Sequence, residues 1–408
     1  MIRTILAALV MLFPVVAHSS ETQADQAEED AVQLDPATVV VAFDRETVTP
    51  LIAEGFRNFD SLEPVQANDP VRIASISKLI MALATLRLVD EGKVDLDADV
   101  SDYLGFTVRS PNFPDTPVTL TQLLSHRAGL RDKAGYIIPL GESLQAKLAD
   151  PEAWYTDAPP GEAPFEYANL GSPVVATALE AATGERYDKL LERTVFGPLG
   201  VEACINWIGC SHDMVSRAVA LYRHTNEPAR DYPGDMPPDC SIPVAEGVEC
   251  SFDDYVPGTN ASVFSPQGGV RIGMMDLAKI GQAIQSGKML SEKAADRIED
   301  ENDEGRIDGN EFFCQYWLGF QLINRTLGRC SDNLFGDLNG GGIFALGHSG
   351  EAYGLQSGLW IVSEEFGIVY FRTQAPPPTG GEDTGGFTQG EKDLIRRALT
   401  KLAKQKAK

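Results

Sequence analysis

The chain lacks the spacings that many functions require, and each shortage removes a class of activity. Its 408 residues hold six cysteines with no C-x-x-C pair and only five, scattered histidines, so no zinc-type ligand pattern is present. Lysine and arginine number 34 against 59 aspartates and glutamates, and the formal charge of −25 repels nucleic acid and anionic lipid. No second apolar run follows the one at the N-terminus, and no cysteine lies near residues 17–20, which speaks against a spanning bundle and a lipid anchor. No G-x-S-x-G occurs, which argues against the nucleophile elbow of α/β-hydrolases. No internal repeat is found.

What the ends contain is informative in a different way. Arg3, the apolar stretch Ile5 to Val16 and small residues at Ala17 and Ser19 read as a secretory signal over 1–19, which predicts an exported, periplasmic or secreted protein. Residues 20–36 are acidic and poor in aromatics, as expected of a disordered lead-in. The tail lysines Lys401, Lys404, Lys406 and Lys408 follow Leu394, Ile395, Ala398, Leu399 and Leu402, the pattern of a docked amphipathic helix with a solvated face. All six cysteines lie beyond the signal, and an even count in an exported chain predicts disulfides. Neighbour pairing, Cys204–Cys210, Cys240–Cys250 and Cys314–Cys330, is the economical arrangement.

Ser75-Ile76-Ser77-Lys78 opens an apolar run, Leu79 to Val89, that reads as a buried helix stopped at Gly92. Residues three apart share a helix face, so Ser75 and Lys78 can touch. A lysine in a buried helix is desolvated, which lowers its pKa and yields neutral amine, a base for the serine. Alone, the pair is as consistent with a serine cap and a snorkelling lysine. Two companions change that: Tyr167-Ala168-Asn169, and His348-Ser349-Gly350 between strand-like runs.

These three motifs in this order resemble the penicillin-recognising serine hydrolases, in the branch of class C β-lactamases, D,D-carboxypeptidases, D-aminopeptidases and family VIII esterases. Leu123 to Leu130, Phe196 to Gly200, and Ser265-Pro266-Gln267-Gly268-Gly269 with Asp276-Leu277-Ala278 agree, and the likeness spans roughly residues 37 to 400. The resemblance implies an α/β (α+β) fold of the β-lactamase/transpeptidase type, a mainly five-stranded antiparallel sheet flanked by helices, with an inserted all-helical domain. Strand patterns at Val39–Phe43, Val48–Gly55, Trp317–Ile323, Gly354–Val362 and Phe366–Arg372, with helical patterns between, fit it. The expected division is 37–75 with 260–408 for the sheet part and 76–259 for the helical part, the latter carrying a disulfide-stapled extension at 201–259.

By the same resemblance Ser75 is the nucleophile, Lys78 takes its proton, and Tyr167 relays protons, its phenol depressed by nearby cations. Asn169 would bind a substrate amide. Gly350 would let substrate approach, and the amides of Glu351 and Ser75 would form an oxyanion hole, with Ser349 beside them. His348 stands where most β-lactamases carry lysine, so a partly charged imidazole would grip a substrate carboxylate less firmly. His126 reads as structural. The implied substrate is a small molecule or a peptidoglycan-like D-amino-acid peptide, a β-lactam or a small ester; a non-catalytic penicillin-binding-like protein is the alternative. No cofactor or metal is expected. Residues Asp300 to Glu311 follow a calcium-loop spacing, but the strand-like run after them favours an acidic surface turn. The loop Pro376 to Gly386 is without an assigned purpose.

Overall fold

Residues alternate between two cores along the first strand: Val39, Val41 and Phe43 enter one hydrophobic cluster, and Val40 and Ala42 enter the other. Successive strand side chains point to opposite faces, so this strand belongs to a sheet covered on both sides. The computed structural model describes residues 35–229, 242–299, 312–313, 315–324, 334–335, 344–375 and 386–407. In chain order the main elements are β1 (Thr38–Phe43), β2 (Val48–Glu54), β3 (Val71–Arg72), α1 (Ile76–Asp90) and α2 (Gly171–Thr183). Then come β4 (Ala203–Ile205), β5 (Val270–Ile272), α3 (Met274–Gln285), β6 (Gln315–Trp317) and β7 (Phe320–Asn324). The chain closes with β8 (Phe344–Ala352), β9 (Leu355–Ser363), β10 (Phe366–Arg372) and α4 (Gln389–Lys406).

The main sheet is antiparallel with the order β2-β1-β10-β9-β8-β7-β6. Its N-terminal and C-terminal strands lie side by side, Val41 opposite Val369. Among the described residues the sheet has seven strands rather than the mainly five expected, for two local reasons. The run Trp317–Ile323 does not continue as one strand: Leu318 and Gly319 both take positive φ and turn it into the β6–β7 hairpin. The His348-Ser349-Gly350 segment is itself a strand, β8, inserted between β9 and β7.

Helices α1 and α3 share the larger cluster with the sheet, and α4 closes the opposite face through Leu394, Ile395 and Ala398. The expected amphipathic tail helix is therefore present, started by a reciprocal capping pair between Thr388 and Glu391. Helix α1 is buried almost all round, from Ile76 to Leu86 and at Leu88. Such a helix holds its register rigidly, because every turn is packed.

A second, three-stranded sheet of order β3-β5-β4 lies beside the start of α1. The extension beginning at 201 carries the predicted Cys204–Cys210 bridge. Cys250 is also in a disulfide, while Cys240, Cys314 and Cys330 lie outside the described residues. The proposed signal, the Asp300–Glu311 loop and residues 376–385 lie outside them as well.

Candidate active site

Strand β3 runs into Ala74, a non-glycine residue at φ +48° that turns the chain sharply into α1. That conformation is unfavourable for an L-residue and is held here by burial. It places Ser75 at the N-terminal cap of α1, with its hydroxyl left unspent on capping. The neighbouring Ser77 is buried and accepts a hydrogen bond from the Val270 N–H at 3.1 Å, which commits it to holding β5.

Lys78, one turn along and 2% exposed, brings Nζ to 3.1 Å from Ser75 Oγ. The same nitrogen lies 2.9 Å from Asn169 Oδ1 and 3.1 Å from the Gln267 carbonyl. Burial lowers the Lys78 pKa to about 7, and Asp132 opposes that shift. The three neighbours explain how the neutral amine is used. A neutral amine has two N–H bonds and one lone pair; the two carbonyl oxygens can only accept, so they take the hydrogens. The lone pair is then left facing the Ser75 hydroxyl.

Asn169 does not sit as a free substrate donor, the role expected of it. Its Oδ1 is engaged by Lys78, its Nδ2 donates to Asp132 Oδ2 at 2.9 Å, and its backbone N–H donates to the same oxygen at 3.0 Å. The other Asp132 oxygen accepts from Leu170 N–H at 3.0 Å, just ahead of α2.

Around Tyr167 the side chains form an aromatic wall. Its ring stacks on Phe313 at 4.5 Å, lies 4.4 Å from His126, and receives Lys78 Nζ at 4.7 Å from its centroid. The lysine thus meets the ring face rather than the oxygen. Burial pushes the Tyr167 pKa up, and the nearby Ser75 hydroxyl opposes this only in part. The shift runs opposite to the expected depression: desolvation, with Asp132 adding to it, outweighs the Ser75 hydroxyl. The hydroxyl is buried beside Ser75 without a hydrogen bond of proper geometry, leaving a neutral phenolic donor next to that serine.

His126 is nearer the site than its motif suggested. Its Nδ1 accepts from Ala168 N–H at 3.2 Å and its carbonyl accepts from Glu166 N–H at 3.1 Å, so it pins the Tyr-Ala-Asn segment from both sides. Burial, then Lys78, hold its pKa well below the usual histidine value.

His348 departs furthest from expectation. It is fully buried, and one ring nitrogen meets the Ser349 carbonyl, which can only accept, so Nδ1 carries the hydrogen. Nε2 therefore accepts from Tyr316 Oη at 3.0 Å. Burial first, and Lys78 second, bring its pKa down to about 3. A neutral imidazole with both nitrogens occupied is not a cationic grip.

Strand β8 also presents its edge to Ser75. It pairs with β7 only as far as Gly347, and beyond that Ser349 N–H and Oγ both meet Gln321 Oε1. Amides two residues apart in a strand point the same way, so Glu351 N–H faces the side of β8 away from β9. Gly350 is required here by the protein itself: a Cβ would lie 2.4 Å from the Ile73 carbonyl, 2.5 Å from Ser357 Oγ and 3.3 Å from Ser75 N. The missing Cβ lets β8 close against the start of α1, so that Gly350 lies beside the Ser75 amide.

The eight residues named from sequence thus gather at one site, but Asp132, Gln267 and Tyr316 were not among them. Gln267 stood in a noted block, and Asp132 follows another by two positions; neither carried a chemical pattern of its own.

A family model described as Beta-lactamase matches residues 24–387. The chain belongs to the beta-lactamase family. Within it, the chain is 31% identical over 160 residues to the D-alanyl-D-alanine-carboxypeptidase/endopeptidase AmpH of Escherichia coli K12, covering 36% of this chain and 40% of that one. It is likewise 31% identical over 165 residues to the esterase EstB of Burkholderia gladioli, covering 37% and 42%. The matched segment thus spans about two fifths of the length of these relatives. The D-amino acid amidase of Ochrobactrum anthropi SV3 shares the beta-lactamase family fold with this chain at a TM-score of 0.63 and 19% identity, covering 95% of this chain and all of the other. A class C beta lactamase from Rhodobacter sphaeroides gives 0.60 and 16%, covering 95% and 99%.

Proposed function

We propose that this chain is an exported serine hydrolase that forms an acyl-enzyme at Ser75 and hydrolyses an amide or ester. The observation that carries the reading is the buried Lys78 amine, 3.1 Å from Ser75 Oγ, with two carbonyls taking its hydrogens. Ser75 Oγ attacks the acyl carbon as its proton passes to Lys78 Nζ, and the negative oxygen is held by the Ser75 and Glu351 amides. Collapse breaks the bond to the leaving group, which takes the proton from Lys78 Nζ while the Tyr167 phenol donates a hydrogen bond to it. Water then attacks the ester as Lys78 takes its proton, and Lys78 returns that proton to Ser75 Oγ as the acyl–oxygen bond breaks and the acid leaves.

The neutral His348 supports acyl donors with no carboxylate at that position, such as small esters and amino-acid amides, over β-lactams. The relative named as an esterase is compatible with this range.

The test is covalent labelling by a fluorophosphonate, mapped by mass spectrometry, alongside hydrolysis of a short-chain nitrophenyl ester, a D-Ala-D-Ala peptide and a chromogenic cephalosporin. Label on Ser75, loss of both labelling and turnover in Ser75→Ala, and ester efficiency at least equal to that for the cephalosporin are expected. Label on Ser77 or Ser349 overturns the nucleophile. Binding of these compounds without turnover identifies a non-catalytic binding protein instead.

A further inference from the structure

Asp132 lies outside every motif that marks the site, yet one of its oxygens accepts both from the backbone N–H of Asn169, at 3.0 Å, and from its Nδ2, at 2.9 Å. The other accepts from Leu170 N–H at 3.0 Å. Asn169 and Leu170 immediately precede α2, so one carboxylate holds the whole turn that delivers Asn169 to Lys78.

The amide of an asparagine can present either end, and only its surroundings decide which. A carboxylate can only accept. By taking a hydrogen from Nδ2, Asp132 forces Oδ1 toward Lys78, where it in turn must accept. Reversed, the amide would aim N–H groups at the lysine, which would take up the lone pair the serine needs.

We propose that Asp132 is a positioning residue for acylation: it sets the orientation of Asn169, and through it directs the Lys78 lone pair at Ser75. This rests on the reading of Lys78 as the base of Ser75. Asp132 also acts on Lys78 directly, as a negative charge favouring the ammonium form. The groups facing Lys78 from the surrounding elements are Ser75, Tyr167, Asn169, the Gln267 carbonyl, His126 and His348. Both histidines are held neutral, so Asp132 is the charged partner among them.

The experiment is the second-order rate of fluorophosphonate labelling of Ser75 against pH, in the full chain and in Asp132→Ala, Asp132→Asn, Asn169→Ala and Asp132→Ala/Asn169→Ala. Circular dichroism and thermal melting establish folding. Asp132→Ala is expected to slow labelling at least about tenfold in the unaltered background, and by less than about twofold when Asn169 is already alanine. Asp132→Asn, which keeps the shape, serves if the alanine variant fails to fold, and should move the acid limb of the rate profile to lower pH. An equal loss with and without Asn169, or an unmoved acid limb in Asp132→Asn, would show that Asp132 only braces α2 and would overturn the proposal. Undiminished labelling in Ser75→Ala or Lys78→Ala would instead sink the reading on which it rests, so the two failures are distinguishable.

Discussion

Tyr316 Oη lies 3.0 Å from Nε2 of His348, and the other nitrogen of that ring meets the carbonyl of Ser349. Burial keeps the imidazole neutral, both its nitrogens are committed, and the charge of Lys78, a lysine whose own proton is weakly held, lowers its pKa further. The same burial lowers the pKa of both groups below its value in water, favouring the uncharged form of each.

The first consequence is a pH profile with one controlling base. Because the Lys78 pKa is brought down to about 7, acylation of a neutral ester should rise with pH through that value and level off above it. Lys78→Arg, which cannot lose its proton, should reduce the efficiency by at least about a hundredfold. Stability moves in the same direction. The unfolded lysine keeps its proton up to about 10.4, so between about 7 and that pH the unfolded state binds the extra proton and stability grows with pH. Lys78→Met should therefore gain in melting temperature over the unaltered chain most below pH 7. A gain that does not change with pH would contradict this.

His348→Lys should not restore a carboxylate grip cheaply. It places a second ammonium in a fully buried position beside Lys78, so the melting temperature should fall and the acid limb should move to lower pH. Tyr316→Phe leaves Nε2 a buried acceptor without a partner and should cost about 1–3 kcal/mol of stability by chemical denaturation. A second ionisation of the ester profile between pH 5 and 8 that disappears in His348→Gln would show that the histidine titrates after all.

Gly350→Ala puts a methyl group 2.4 Å from the Ile73 carbonyl and 2.5 Å from Ser357 Oγ. Strand β8 must then move away from the start of α1, carrying the Glu351 amide away from Ser75, its proposed partner in holding the oxyanion. A loss of about a hundredfold or more in kcat is expected, with about 1–3 kcal/mol of destabilisation. Unchanged kcat, with only KM affected, would mean that the glycine makes room for substrate instead.

Away from the site, Glu180 is a fully buried carboxyl that accepts from Tyr187 N–H at 2.7 Å, Tyr255 Oη at 2.6 Å and Gly258 N–H at 2.9 Å. Burial raises its pKa to about 7 against these bonds. A raised folded-state value contributes stability that is complete below the unfolded value, about 4.3, and lost as pH rises through 7. Thermal melts from pH 4.5 to 8 should show this decline in the native chain and not in Glu180→Gln. A decline of equal size in the variant would assign it elsewhere.

Much of this protein was legible because its signals are local. The 3.6-residue geometry of a buried helix places Ser75 against Lys78 whatever else the chain does, and short apolar strand-like runs at both chain ends pair into one sheet. The tail helix and the Cys204–Cys210 bridge follow from patterns within a few residues. What the sequence left open was the electrostatic state of the site. Desolvation depends on the atoms packed around a group, and those come from β8, β6 and the segment before α2, far apart along the chain. Only their meeting makes His348 neutral, keeps Tyr167 a phenol, makes Gly350 a packing contact and turns Asp132 toward Asn169. Residue type and spacing choose the participants; burial and unlike partners, set by the tertiary structure, choose their charges.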